Sequence, residues 1–176
     1  LEPSELERFE AVVLPHLNAA YGLARYLMRN DADADDVVQE AFLRALRYFG
    51  GFRGESASQS RAWVLAIVRN MAYTWRHRRR AEASATEFDE AIHSEATAGE
   101  QPESDLAKLD SHATLAQALD RLPRDLREVI VLREIEGLSY KEIGEVVDVP
   151  IGTVMSRLSR ARKRLQQALV VSREEG

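Results

Sequence analysis

Residues 137–165, GLSYKEIGEVVDVPIGTVMSRLSRARKRL, leave this chain few folds to choose from. Ser139, with Glu142 three residues on, has the form of a capping box, in which a hydroxyl and a carboxylate satisfy free backbone donors at a helix start. Ile143, Val146 and Val147 then recur at helical spacing. Pro150 disfavours helical geometry in the residue before it, so Asp148-Val149-Pro150 reads as a turn. In the helix that follows, Val154, Leu158 and Leu165 point inward. Its other face carries Thr153, Ser156, Arg157, Ser159, Arg160, Arg162, Lys163 and Arg164, with no acid among them. Gly144 is the expected point of close approach between the two helices, because it has no side chain to keep them apart. The pattern is that of a helix-turn-helix, whose second helix enters the major groove of DNA.

A net charge of −5 sits poorly with a nucleic-acid binder until it is divided along the chain. Residues 1–80 hold 12 basic and 10 acidic side chains, residues 81–110 hold 1 and 9, and residues 111–176 hold 11 and 10. The negative balance therefore lies in the middle stretch, and local clustering of cations is what DNA binding requires. That stretch is rich in Ala, Glu, Ser, Thr and Gly and poor in large apolar residues until Leu106. It cannot bury enough surface to offset chain entropy, so 81–110 is expected to be a flexible acidic linker between two small helical domains. The length of 176 residues and the 45% apolar content suit such a pair.

The first 80 residues read as helix throughout. Ser4 and Glu7 suggest a capping box, and Pro15 suits the first turn of a helix with Leu17, Ala20, Tyr21, Ala24 and Leu27 inward. Asn30-Asp31 punctuates its end. Val37, Val38, Ala41, Phe42, Ala45, Leu46 and Phe49 then form a wide apolar stripe, which Gly50-Gly51 ends. The loop FRGESASQS leads into a long helix near 59–80, with Val64, Ile67, Val68, Met71 and Trp75 as its core stripe. That helix finishes in WRHRRR, more cation than compensation of a helix dipole needs. Tyr73 is expected to be an exposed ring and Trp75 a core residue. After the linker, Leu115, Leu119 and Leu122 resume the helical pattern, Pro123 breaks it, and Gly137 can end the next helix in a left-handed cap. The fold class is all-α.

Enzymatic chemistry finds little here. Cysteine is absent, which removes disulfides, zinc-thiolate sites and thiol nucleophiles. His16, His77, His93 and His112 are scattered, and none pairs at metal-ligand spacing. The cluster Asp31, Asp33, Asp35, Asp36 lacks the glycine and final glutamate of a calcium loop, and reads as helix N-terminal charge. No cofactor, metal or small-molecule substrate is expected. No apolar run approaches the roughly 20 residues that span a bilayer, and LEPSELERFEAVVL is too acidic for a signal peptide, so the expected compartment is the cytoplasm.

Three segments in order carry a family resemblance: DADDVVQEAFLRALR, FRGESASQSRAWVLAIVRNMAYTWRHRRR, and LPRDLREVIVLREIEGLSYKEIGEVVDVPIGTVMSRLSRARKRL. Together they resemble the sigma-70 family of bacterial transcription initiation factors, in its small extracytoplasmic-function class. The resemblance implies a region 2-like domain over 1–80 and a region 4-like domain over 111–176. It implies that Asp36, Gln39 and Glu40 dock on the coiled coil of the polymerase β′ subunit, and that the region 4-like domain meets the β flap. Residues 52–60 and the helix after them would capture and melt the −10 promoter element, with DNA contacts from Trp63, Asn70, Tyr73, Arg76 and Arg78. Thr153, Ser156, Arg157, Arg160 and Arg162 would read the −35 element. Met155 stands where many relatives carry arginine. A membrane-linked anti-sigma protein is the implied regulator. An ordinary helix-turn-helix regulator explains residues 123–165 equally well, but not the acidic face and basic, aromatic helix before residue 80. A pure protein-interaction module leaves both basic clusters idle.

Overall fold

The computed structural model describes residues 3–86 and 106–174, which form helices and turns with no strand among them. The α-helices are α1 (Pro3–Val13), α2 (Leu17–Met28), α3 (Asp31–Tyr48), α4 (Ala57–Thr86), α5 (Leu106–Asp120), α6 (Arg124–Ile130), α7 (Tyr140–Val147) and α8 (Ile151–Glu174). α6 runs on into a wider π-type turn, Val131–Ile135.

The N-terminal core lies between α2, α3 and α4, with Leu23, Leu27, Val37, Val38, Leu65 and Val68 inside it. Phe49 is fully buried, with Phe9 edge-on at 5.3 Å and Phe52 stacked at 6.1 Å. Asn30 starts α3 by accepting the Asp33 N–H at 3.1 Å, after Arg29 has closed α2 in a left-handed conformation. Ser4 falls inside α1 and so does not cap it. The buried face of α2 is carried by Ala20, Leu23, Ala24, Leu27 and Met28. Leu17 stands at 36% exposure and Tyr21 is half-buried, because the 3₁₀ turn Leu14–His16 intervenes before α2.

The C-terminal core gathers Leu126, Val129, Ile130, Leu132, Leu138, Ile143, Val154 and Leu158. The expected capping box is present: Glu142 N–H donates to Ser139 Oγ at 3.2 Å, and Ser139 N–H donates to Glu142 Oε2 at 2.7 Å. Gly137 has φ +68, as its place after the preceding helix requires. At Gly144 the close neighbour is the turn more than the second helix. A Cβ there would lie 2.9 Å from the Val149 carbonyl and 3.8 Å from a Val154 methyl.

Helix occupies both ends of the stretch 81–110, since α4 continues to Thr86 and α5 begins at Leu106. The linker expected between them, with His93, otherwise falls at 87–105, outside the described residues. The two halves of the chain pack on each other, chiefly α4 against α7, with α2 against α6. No helix among the described residues is long and apolar enough to cross a membrane.

Candidate nucleic-acid interface

Two buried glutamates organise the seam between the halves. Glu128, on α6, is 1% exposed within the apolar run that holds α6 in its core. A carboxylate so placed costs several kcal/mol unless it is paired and hydrogen-bonded. α4 supplies the partners: Arg69 donates through Nε at 2.7 Å and Nη2 at 3.2 Å, and the Tyr73 hydroxyl donates as well. Arg157, from α8, comes within 3.9 Å of the same carboxylate. Glu142 forms the second tie. Its Oε1 accepts Arg61 at 2.6 Å and Ser58 at 2.8 Å. Burial works against ionisation there, but the hydrogen bonds from Arg61, the Ser139 N–H and Ser58 outweigh it and hold the carboxyl at about 2.

Tyr73 is therefore not the exposed ring expected from its place on the helix. Its ring is half-buried, with the Arg124 guanidinium 3.8 Å and the Arg69 guanidinium 4.7 Å from its centroid. Burial, with Glu128 beside it, pushes the phenol up from its usual range. Arg76 is also drawn inward, and its Nη1 donates to the Leu27 carbonyl at 3.2 Å. Asn70 and Arg78 stay exposed. Trp63 is half-buried against Phe52, 4.6 Å between centroids, at the edge of a groove that includes Tyr48, Arg53, Gln59 and Glu145. The five residues expected to face the −10 element thus lie along α4 but not on one free surface.

The outer face of α8 is more open. Ser156, Arg160 and Arg162 are exposed, and Thr153 is half-buried near the helix start. Arg157 leans toward Glu128 and Arg162 pairs with Glu134 at 2.7 Å. Met155 projects into solvent at 53% exposure. On α3, Asp36 and Gln39 are exposed and Glu40 is half-buried, along a groove shared with Leu43, Arg44, Arg47 and Trp75. Among the described residues no cluster of His, Asp or Glu could hold a metal ion; Asp33 instead pairs with Arg79 at 3.0 Å.

The sequence matches the family description "Sigma-70 region 2" over residues 12–82 and "Sigma-70, region 4" over residues 112–165. It is 38% identical over 168 residues to the RNA polymerase sigma-H factor of Pseudomonas aeruginosa, covering 92% of this chain and 86% of that one. The chain belongs to the sigma-70 family. The ECF RNA polymerase sigma-E factor of Haemophilus influenzae is 34% identical, over 96% of this chain and 91% of its own length. Several solved structures are similar, among them two that match over nearly the whole chain. One is the sigma factor RpoE with the anti-sigma factor NepR from Bartonella quintana, with TM-score 0.71 and 31% identity over 94% of this chain and 98% of that one. The other is CnrH with the cytosolic domain of CnrY, with TM-score 0.65 and 27% identity over 94% of this chain and 90% of that one.

What residue spacing had not indicated in this sigma factor is the seam. Glu128 was open to notice, since a lone acid inside EVIVL must find a partner if the run is core. Which partner it would find was not, because Arg69 and Tyr73 lie 59 and 55 residues away. Leu43, 66% exposed, places an apolar side chain in the same α3 groove as Asp36, Gln39 and Glu40, where the charged residues alone marked the face in the sequence.

Proposed function

We propose that this sigma factor binds core RNA polymerase, directs it to promoters with cognate −10 and −35 elements, and assists strand opening without catalysing a reaction of its own. One observation carries the reading furthest: two exposed faces of opposite character stand on separate helices. The α8 face presents Ser156 and Arg160 to solvent, and the α3 face presents Asp36 and Gln39 beside the protruding Leu43. Arginine forks at the groove-facing end of a recognition helix suit phosphates and the acceptor edge of guanine. Thr153, Ser156, Arg157, Arg160 and Arg162 form the −35 set. Carboxylates and an amide around an apolar side chain suit a basic protein surface, and Asp36, Gln39 and Glu40 are assigned to the polymerase β′ coiled coil. The C-terminal half is assigned to the β flap.

The −10 set is Trp63, Asn70, Tyr73, Arg76 and Arg78. For Tyr73 to reach a base, its bond to Glu128 must break, so promoter engagement requires the halves to separate. Polymerase favours the separated form because it binds that form better, which is all that a population shift needs. An anti-sigma protein, of the kind in complex with the RpoE relative, would favour the compact form; its membrane linkage and the cytoplasmic setting belong to this same reading.

The test is promoter-dependent transcription with purified core polymerase and this chain. Specific transcripts from a subset of a broad promoter library are expected. Absence of any specific transcript, together with an independent footprint on duplex DNA, would show an ordinary DNA-binding regulator instead.

A further inference from the structure

Between the C-terminal part of α4 and the start of α6 lies a cavity of about 380 Å³, lined by Tyr73, Arg76, His77, Arg80, Arg124 and Arg127. α4 supplies Tyr73, Arg76, His77 and Arg80, and α6 supplies Arg124 and Arg127, so the cavity exists only while the halves are packed. Arg29, at the end of α2, adds its charge to both Arg76 and Arg127. Four guanidinium groups therefore line one small space, and a fifth stands near two of them.

The carboxylates nearby are already committed. Asp120 pairs with Arg29 at 2.9 Å, and Glu128 is held by Arg69 and Tyr73. Among the described residues no ion pair joins Arg76, Arg80, Arg124 or Arg127 to an acid. Arg127 is the most telling member. Its side chain is buried at 4% exposure and fixed by three carbonyls, with Nε donating to Leu119 at 2.9 Å and Nη2 to Asp120 and Leu122 at 2.8 Å. Its Nη1 is buried with no hydrogen-bond partner. A buried guanidinium donor left unpaired is costly, and here it belongs to a residue in the wall of a cavity short of negative charge. Burial, and after it the neighbouring arginines, hold Arg76 and Arg127 below the ordinary guanidinium range.

We propose that this cavity is a binding site for an oligophosphate, either inorganic or the phosphate tail of a nucleotide, which bridges α4 and α6 and holds the two halves together. Arginine forks match phosphate oxygens in pairs, and a chain of phosphates supplies several charges in a space that one carboxylate could not neutralise. The volume lies within the range of about 300–1,000 Å³ usual for small-molecule sites. Because both halves contribute, the ligand binds the packed form and not the separated one, and it stabilises packing by mass action. On the proposed function, occupancy withholds Tyr73 and Arg76 from the promoter, so the ligand restrains initiation.

The experiment is calorimetric titration of the whole chain, without divalent ions and at constant ionic strength, with inorganic tripolyphosphate, ATP and sulfate. One tripolyphosphate per chain is expected, with sulfate at least tenfold weaker. Arg80→Ser and Arg124→Ser should each weaken tripolyphosphate at least tenfold. Arg164→Ser, on the exposed face of α8, should change it less than twofold. ATP binding more tightly than tripolyphosphate would identify a nucleotide as the fuller ligand, and equal or weaker ATP binding would identify the bare phosphate chain. Glu128→Gln leaves every arginine of the cavity in place but loosens the seam, and it should also weaken binding. The chain has no cysteine, so donor and acceptor dyes at Glu10→Cys and Lys163→Cys report the packed form directly. Tripolyphosphate should raise its population in the parent chain and not in Arg124→Ser. Unchanged affinity in both Arg80→Ser and Arg124→Ser, or an equal loss in Arg164→Ser, overturns the proposal, as does binding of several ions per chain. No polymerase or promoter enters these measurements, so their failure is separate from failure of the transcription assay.

Discussion

α8 and the second half of α4 carry similar side chains and use them differently. On α8, Ser156 and Arg160 face water, and Arg162 pairs with the exposed Glu134. On α4, Arg69 and Tyr73 are spent on Glu128, and Arg76 on a backbone carbonyl. The difference lies in what stands opposite. A surface carboxylate beside an arginine contributes little, whereas a buried one must be answered and recruits the nearest donors. α8 is itself divided in this way: Arg157 leans toward the same Glu128 while Arg160 stays in water, so whether a buried acid faces it sets the state of each arginine.

The contrast breaks most completely at Glu128. Glu128→Ala should favour separated halves by about 3 kcal/mol, seen as a larger radius of gyration in solution scattering; an unchanged radius would mean that apolar contact alone holds the seam. Glu142→Gln should act in the same direction by about 2 kcal/mol, with a pH signature. The Glu142 carboxyl lies at about 2 in the packed form, below its ordinary 4.5. The Ser139 bond persists when the halves part, so only the share owed to Arg61 and Ser58 favours packing; that share is complete above pH 4.5 and is lost as pH falls toward 2. Scattering between those values should show the parent chain opening and the Gln variant lacking that step. Arg160→Ala should weaken −35-dependent initiation by about 1–2 kcal/mol while leaving core polymerase affinity unchanged; Glu40→Ala should do the reverse in a core-binding assay. The smallest effect belongs to Arg162→Ala, because its ion pair with Glu134 is exposed on both sides. Thermal unfolding should report less than about 1 kcal/mol.

Local pattern sufficed for most of the helices. The capping box at Ser139, the left-handed Gly137 and the stripe along α3 all follow from residues within a few positions of one another, and each is found where spacing put it. Leu17 and Ser4 went astray at helix starts, where one turn of 3₁₀ helix or one residue of offset changes which face is buried. The binding surfaces were legible as residue types but not as states. Tyr73 on α4 is a suitable ring for stacking on a base, yet nothing within its own helix tells that a carboxylate 55 residues away will claim its hydroxyl. The same holds for Arg127, whose neighbours in sequence supply three carbonyls while the cavity beside it is completed by another element.

The capping box at the start of α7 divides one carboxylate between two tasks. Glu142 Oε2 serves the Ser139 N–H within its own helix, and Oε1 serves Arg61 and Ser58 across the seam. When the halves part, only Oε1 changes partners, exchanging a guanidinium and a hydroxyl for water. The start of α7 stays tied, so under the proposed function the helix pair would detach as a finished unit and meet DNA without having to refold.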